Sequence, residues 1–252
     1  MPKLMAQDDT QVLKVAGPGT FQFSAVRIED LGATEYTLVT IVVDKSGSVI
    51  RFADELLECI KSIVGACQKS PRAENLLIRI LHFNDYINEI HGFLNLADID
   101  VNSYDSIAPD SMTALYDASY DAIGATLEYS KQLVDQDFDC NGAVYIVTDG
   151  MDNRSSMTPL SIKEKIEDSM AKEEIESLVT VLVALQDPKM PMQAEVKASL
   201  ELFQKDANLS QFVDIGDATP GKLAKLANFV SESVSSQSQA LGTGAPSQTL
   251  NF

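Results

Sequence analysis

Several features that would place this chain quickly are missing. No stretch of its 252 residues approaches the ~20 consecutive apolar residues that cross a bilayer, so no membrane span is expected. The first residues, MPKLMAQDDTQ, have no long apolar segment, which argues against a signal peptide and makes the cytoplasm the expected location. There is no basic run. The 19 basic residues face 37 acidic ones, for a net charge of −18. Such a chain repels phosphate backbones, so nucleic acid is not an expected partner. Cys59, Cys67 and Cys140 are odd in number and form no C-x-x-C pair. They read as reduced thiols in the core or at the surface. The phosphate-loop pattern G-x-x-x-x-G-K-[ST] is absent, as is the nucleophile elbow G-x-S-x-G. His82 and His91 both fall on expected strands away from any serine motif, so a Ser-His-Asp triad has no support.

What remains is a chain with ample core material. Hydrophobic residues make up 45 % of it, and its length fits one large domain or two small ones. Residues 36–43 (YTLVTIVV), 76–83 (LLIRILHF), 142–148 (GAVYIVT) and 178–185 (LVTVLVAL) are nearly continuous apolar runs. Strands buried on both faces of a parallel sheet have this look. Phe21–Ile28 alternates like a half-buried or edge strand, and Gln211–Ile215 reads as a short last strand. Residues 87–96 alternate as well, and Asn84-Asp85 before them suggests a hairpin. Between these runs the apolar period changes to that of helices, over about 50–68, 113–134, 159–174, 192–205 and 220–234. Thr158-Pro159 and Thr219-Pro220 are helix-start signals. Strand and helix alternate, which predicts a doubly wound α/β domain with a mostly parallel central sheet, one antiparallel edge strand and helices on both faces. The expected organisation is a loose arm over residues 1–19, the domain over 20–235, and an uncharged, disordered tail over 236–252.

Ligands of open α/β sheets bind outside the carboxyl ends of the strands. Two strands here end alike: one in Asp44-Lys45-Ser46-Gly47-Ser48, another in Asp149-Gly150-Met151-Asp152. Asp110-Ser111-Met112-Thr113 forms a loop-to-helix junction. If the three segments converge, Asp44, Ser46, Ser48, Thr113 and Asp149 form an all-oxygen set. That chemistry suits a hard cation such as Mg²⁺ better than zinc or copper. Alone, DKSGS is ambiguous between a helix cap and a ligand set, and Asp149-Gly150 is more often a turn than a ligand.

Together and in order, DKSGS, SMTALYDA and VTDGMDN resemble the three parts of the metal-ion-dependent adhesion site of von Willebrand factor A domains. The resemblance covers roughly residues 36–235. It implies that Ser46, Ser48 and Thr113 give hydroxyl oxygens to Mg²⁺, with Mn²⁺ or Ca²⁺ as alternatives, and that Asp44 and Asp149 hold the ion through water or directly. It also implies that an acidic side chain of a partner protein completes the coordination, and that the domain binds rather than catalyses. Lys45, Asp110, Asp152 and Asn153 are expected around the ligands or at the rim. Glycines often precede the threonine in the family, and Asp110-Ser111-Met112 stands there instead. Met112 and Met151 flank the site as core or as an apolar rim. Stand-alone intracellular members from bacteria and phages are the most similar, and they serve as adaptors in stress-response, tellurium-resistance-type or ATPase-linked systems. Two alternatives stand beside this reading. One is a Mg²⁺-dependent phosphohydrolase with Asp44 as nucleophile, although Ser46 occupies the position where such an enzyme needs its second carboxylate. The other is a scaffold that uses no metal.

Overall fold

The computed structural model describes residues 10–15, 19–186 and 192–252. Its elements run β1 (Thr10–Val15), β2 (Phe21–Val26), β3 (Glu35–Asp44), α1 (Ala53–Cys67), β4 (Leu76–Phe83), β5 (Ile87–Asn95), α2 (Leu115–Val134), β6 (Asp139–Thr148), α3 (Pro159–Ala171), β7 (Ser177–Gln186), α4 (Gln193–Asp206), β8 (Gln211–Asp217) and α5 (Pro220–Thr243).

The strands form one sheet in the order β1-β2-β5-β4-β3-β6-β7-β8. Strands β4, β3, β6, β7 and β8 are parallel. The expected hairpin is present, with β5 antiparallel to β4. The antiparallel edge is extended by β2, which joins β5 through the pair Ala25 and Phe93, and by β1, antiparallel to β2. Gly92 permits that join, since a Cβ there would lie 1.9 Å from the Ser24 carbonyl oxygen.

The continuous apolar runs are explained by burial on both sides. Val39, Ile41 and Val43 of β3 pack with α1 and α5 on one face. Val42 packs with α2, α3 and α4 on the other. A third cluster, around Phe23, Tyr36, Phe93 and Tyr129, fills the space under the edge strands. Cys59, Cys67 and Cys140 are free thiols inside these clusters, and burial pushes all three up to about 12. Helix α3 begins as its sequence predicts. Thr158 accepts from the Ser161 amide, Ser161 accepts from the Thr158 amide, and Pro159 follows the cap.

Two boundaries differ from expectation. Part of the supposed arm, Thr10–Val15, is strand β1, and its Leu13 and Val15 pack against the third cluster. Residues 1–9 and 16–18 lie outside the described residues. The supposed tail is ordered as well. Helix α5 continues to Thr243 and ends at left-handed Gly244. Gln237 and Ser238 are fully buried. The Gln237 carbonyl accepts from Asn141 Nδ2 at 3.0 Å, and its side-chain amide donates to Ser233 at 3.1 Å. Beyond the helix the chain returns along the sheet. Gln211 donates to the Leu250 carbonyl at 3.0 Å, and Phe252 meets Phe229 edge-on at 5.5 Å. Serine and glutamine carry no apolar signal, so a helix that buries them through hydrogen bonds is invisible to hydropathy.

Candidate functional site

Strand order reverses around β3. The chain leaves it through α1 to β4 on one side, and reaches β6 through α2 on the other. Such a switch point opens a crevice at the carboxyl ends of the strands, and the segment after β3 lies there.

Asp44, the last residue of β3, is fully buried. Its Oδ1 accepts from the Ser46 amide at 2.7 Å, and its Oδ2 accepts from the Thr148 hydroxyl at 2.6 Å. The hydroxyls of Ser46 and Ser48 are 3.1 Å apart, and Ser48 donates to Asp149 at 2.6 Å. Thr113 is buried, and a Cβ on Gly150 would lie 3.5 Å from its hydroxyl oxygen. The structure therefore brings Asp44, Ser46, Ser48, Thr113 and Asp149 to one edge. Ser46 is the N-cap residue of the 3₁₀ turn Gly47–Arg51, yet its side chain makes no capping bond, so Ser46 does not serve as a side-chain cap there.

The surrounding residues divide. The Lys45 amide donates to the Phe83 carbonyl at 2.7 Å and its carbonyl accepts from the Asp110 amide at 2.9 Å, which ties three loops together. The Asp110 side chain is exposed. Asp152 accepts from the Tyr116 amide at 3.3 Å, and Asn153 Oδ1 accepts from the Thr113 amide at 2.9 Å. Met112 is 52 % exposed and belongs to the rim, as do Ile50 and Tyr86, whereas Met151 is half-buried. His82 is half-buried on β4, and His91 has a structural setting. The His91 ring joins the Gly92 carbonyl at 2.8 Å and the Tyr104 hydroxyl at 2.9 Å.

Sequence reasoning overlooked Thr148 and Asn84. Thr148 orients Asp44 from the neighbouring strand. The Asn84 carbonyl accepts from the Ala114 amide at 2.7 Å, and its side chain donates to the Asp110 carbonyl at 3.1 Å. Thr148 stood in view beside Asp149, but only the β3–β6 register reveals its partner.

Burial pushes the Asp44 carboxyl above the usual carboxylate range, and the bonds from Thr148 and Ser46 oppose that rise. No basic side chain pairs with Asp44 among the described residues. Burial of that charge without a basic partner is a cost that protonation or a bound cation would relieve. No group of three or more His, Cys, Asp or Glu is placed to hold a metal among the described residues. The set here is instead two carboxylates and three hydroxyls, which fits a hard ion and not a soft one.

Neither a family model nor a curated protein matches the sequence. Solved structures do match. A point mutant of the PilB minor pilin from Streptococcus sanguinis aligns with 92 % of this chain and 68 % of its own, at 12 % identity and a TM-score of 0.57. The pilus adhesin SpaC from Lactobacillus rhamnosus GG, in its open conformation, aligns with 90 % of this chain at 11 % identity and a TM-score of 0.52. Proximal thread matrix protein 1 from the mussel byssus, with a zinc-occupied MIDAS motif, aligns with 80 % at 17 % identity and a TM-score of 0.51. The chain has the von Willebrand factor A fold. It spans 34 % of the adhesin and 46 % of the matrix protein. At these identities the likeness shows the fold alone, and the use of this von Willebrand factor A fold has to be argued from its own residues.

Proposed function

We propose that the carboxyl edge of the sheet binds a divalent cation, Mg²⁺ in the first instance, and that the domain uses it to capture an acidic side chain of a partner protein without catalysis. The observation that carries this reading is the chain of contacts from Asp44 through Ser46 and Ser48 to Asp149, with the Thr113 hydroxyl beside Gly150. Ser46, Ser48 and Thr113 are the direct oxygen donors, and Asp44 and Asp149 balance the charge. When bound, the ion supplies an electrophilic position for an anionic oxygen from outside. Around it, Thr148 and the Ser46 amide orient Asp44, and the exposed Ile50, Tyr86 and Met112 offer apolar surface to a protein.

The structural neighbours named above are a pilin, an adhesin and a matrix protein, one with a zinc-occupied site, which favours interaction over catalysis. The family resemblance suggests an adaptor in an intracellular multi-protein system. No helix among the described residues is long and apolar enough to cross a membrane. Titration calorimetry of the full chain with Mg²⁺ and Mn²⁺ tests the reading. Binding heat that disappears in the Ser46→Ala/Ser48→Ala double variant is expected. A wild type without binding heat or thermal shift would sink it.

A further inference from the structure

Thr113 sits at a junction that its own segment does not stabilise. Two residues before it, Ser111 has a left-handed backbone, with φ of 70°. After it comes α2, whose N-cap residue Ala114 makes no side-chain cap bond. Such a helix start leaves its first amides in need of partners. They are supplied from the segment that follows Asp149. Asp152 accepts from the Tyr116 amide at 3.3 Å and the Ser155 hydroxyl accepts from the Asp117 amide at 3.0 Å. Asp117 returns the contact, accepting from the Ser156 amide at 3.0 Å and the Met157 amide at 2.7 Å. Helix α2 is thus capped by a loop about 40 residues downstream of it, and that loop also carries Asp149.

Within this interlock one contact falls on Thr113 itself. Asn153 Oδ1 accepts from the Thr113 amide at 2.9 Å, and the Asn153 amide donates to the Thr113 carbonyl at 3.0 Å. The flanks of Thr113 are held as well, by the Gly47 amide on the Ser111 carbonyl at 3.3 Å and the Ala114 amide on the Asn84 carbonyl at 2.7 Å. Those two bonds run main chain to main chain and survive any side-chain change. The bond to the Thr113 amide depends on a side chain.

We propose that Asn153 is the positioning residue of the site, clamping the Thr113 main chain so that its hydroxyl faces the Asp149–Gly150 segment. The proposal rests on the cation reading only for its effect on metal affinity. The clamp itself is a property of the protein without a ligand.

The test uses the full chain as wild type, Asn153→Ala and Asn153→Asp, the last retaining an Oδ acceptor. Two quantities are read: hydrogen exchange at the Thr113 amide in metal-free protein, and Mn²⁺ affinity by calorimetry. Asn153→Ala should speed Thr113 exchange by about tenfold while amides of β3 keep their protection, and should weaken Mn²⁺ binding by about 10–100-fold. Asn153→Asp should restore both. The proposal is overturned by unaltered Thr113 exchange in Asn153→Ala, by unaltered affinity in that variant where the wild type binds Mn²⁺, by a failure of Asn153→Asp to rescue, or by loss of β3 protection along with Thr113. A wild type that takes up no Mn²⁺ sinks the cation reading. The clamp is then judged on exchange alone, where protection lost in Asn153→Ala and regained in Asn153→Asp upholds it.

Discussion

Ser48 donates its hydroxyl to Asp149 across 2.6 Å, although the two residues are 101 positions apart. The bond joins the turn after β3 to the loop after β6, and so closes the candidate site across two neighbouring strands. With its proton committed to the carboxylate, Ser48 accepts from the Ser46 hydroxyl at 3.1 Å and retains one lone pair for a ligand. This arrangement leaves a hydroxyl oxygen with its hydrogen turned away, as the proposed cation requires.

A ligand that binds only the folded state adds stability by mass action. Mn²⁺ at about 100 times its Kd should raise the unfolding free energy by about 2.7 kcal/mol. Urea denaturation with and without chelator measures the increment. Asp149→Asn should abolish it, and an increment that persists in this variant would mean that the ion binds elsewhere.

Arg79 is 1 % exposed in β4. Its Nε donates to Glu89 at 2.7 Å and its Nη2 to Asp121 at 2.9 Å, while the guanidinium lies 5.6 Å from the Phe23 ring centre. Glu89 in turn accepts from the Ser24 amide at 2.9 Å, so the cluster links β2, β5, β4 and α2. Burial pushes the Asp121 carboxyl upward even with Arg79 beside it. Arg79→Met should therefore lower stability by about 3–5 kcal/mol, because it strands the buried Asp121 and leaves half-buried Glu89 without its cation. Adding Asp121→Asn should recover part of the loss, and denaturation of the single and double variants reads both effects.

Burial, reinforced by Lys45, pulls the His82 imidazole down to about 4 from 6.5. Between those values the unfolded chain binds a proton that the folded chain refuses, so acidification favours unfolding. As pH falls from 6.5 to about 4, His82 should remove about 1–3 kcal/mol of stability. The difference between wild type and His82→Gln across that interval isolates it from the carboxylates. Parallel pH profiles would refute the assignment.

The ordered C-terminal region makes a prediction opposite to that of a loose tail. Leu241, near the end of α5, is 8 % exposed. Leu241→Ala should cost about 2 kcal/mol, and deletion of residues 236–252 should cost more, since Asn141 and Arg72 would lose the acceptors that Gln237 and Ser238 supply. A thermal midpoint unchanged by the deletion would restore the tail reading.

Much of this is legible in the amino-acid sequence. The runs YTLVTIVV and GAVYIVT announce doubly buried strands because both faces of β3 and β6 meet helices. Asp44, Ser46, Ser48, Thr113 and Asp149 stand out because each lies just past an apolar run or just before a helical one, and because the three segments occur together in an order that resembles a known metal site. Strand β1 and the last turns of α5 were missed because their residues are polar or short in run, and their stability comes from distant partners.

The sequence by itself determined the alternation of strand and helix, the burial of the central strands and the chemistry available at their ends. Only the tertiary structure decided that Thr148 orients Asp44, that Ser48 meets Asp149 and that Asn153 grips Thr113. Those contacts join residues 40 to 104 positions apart. Hydropathy and local propensity act over a few residues, whereas a hydrogen bond between two loops exists only once strand order has brought the loops together.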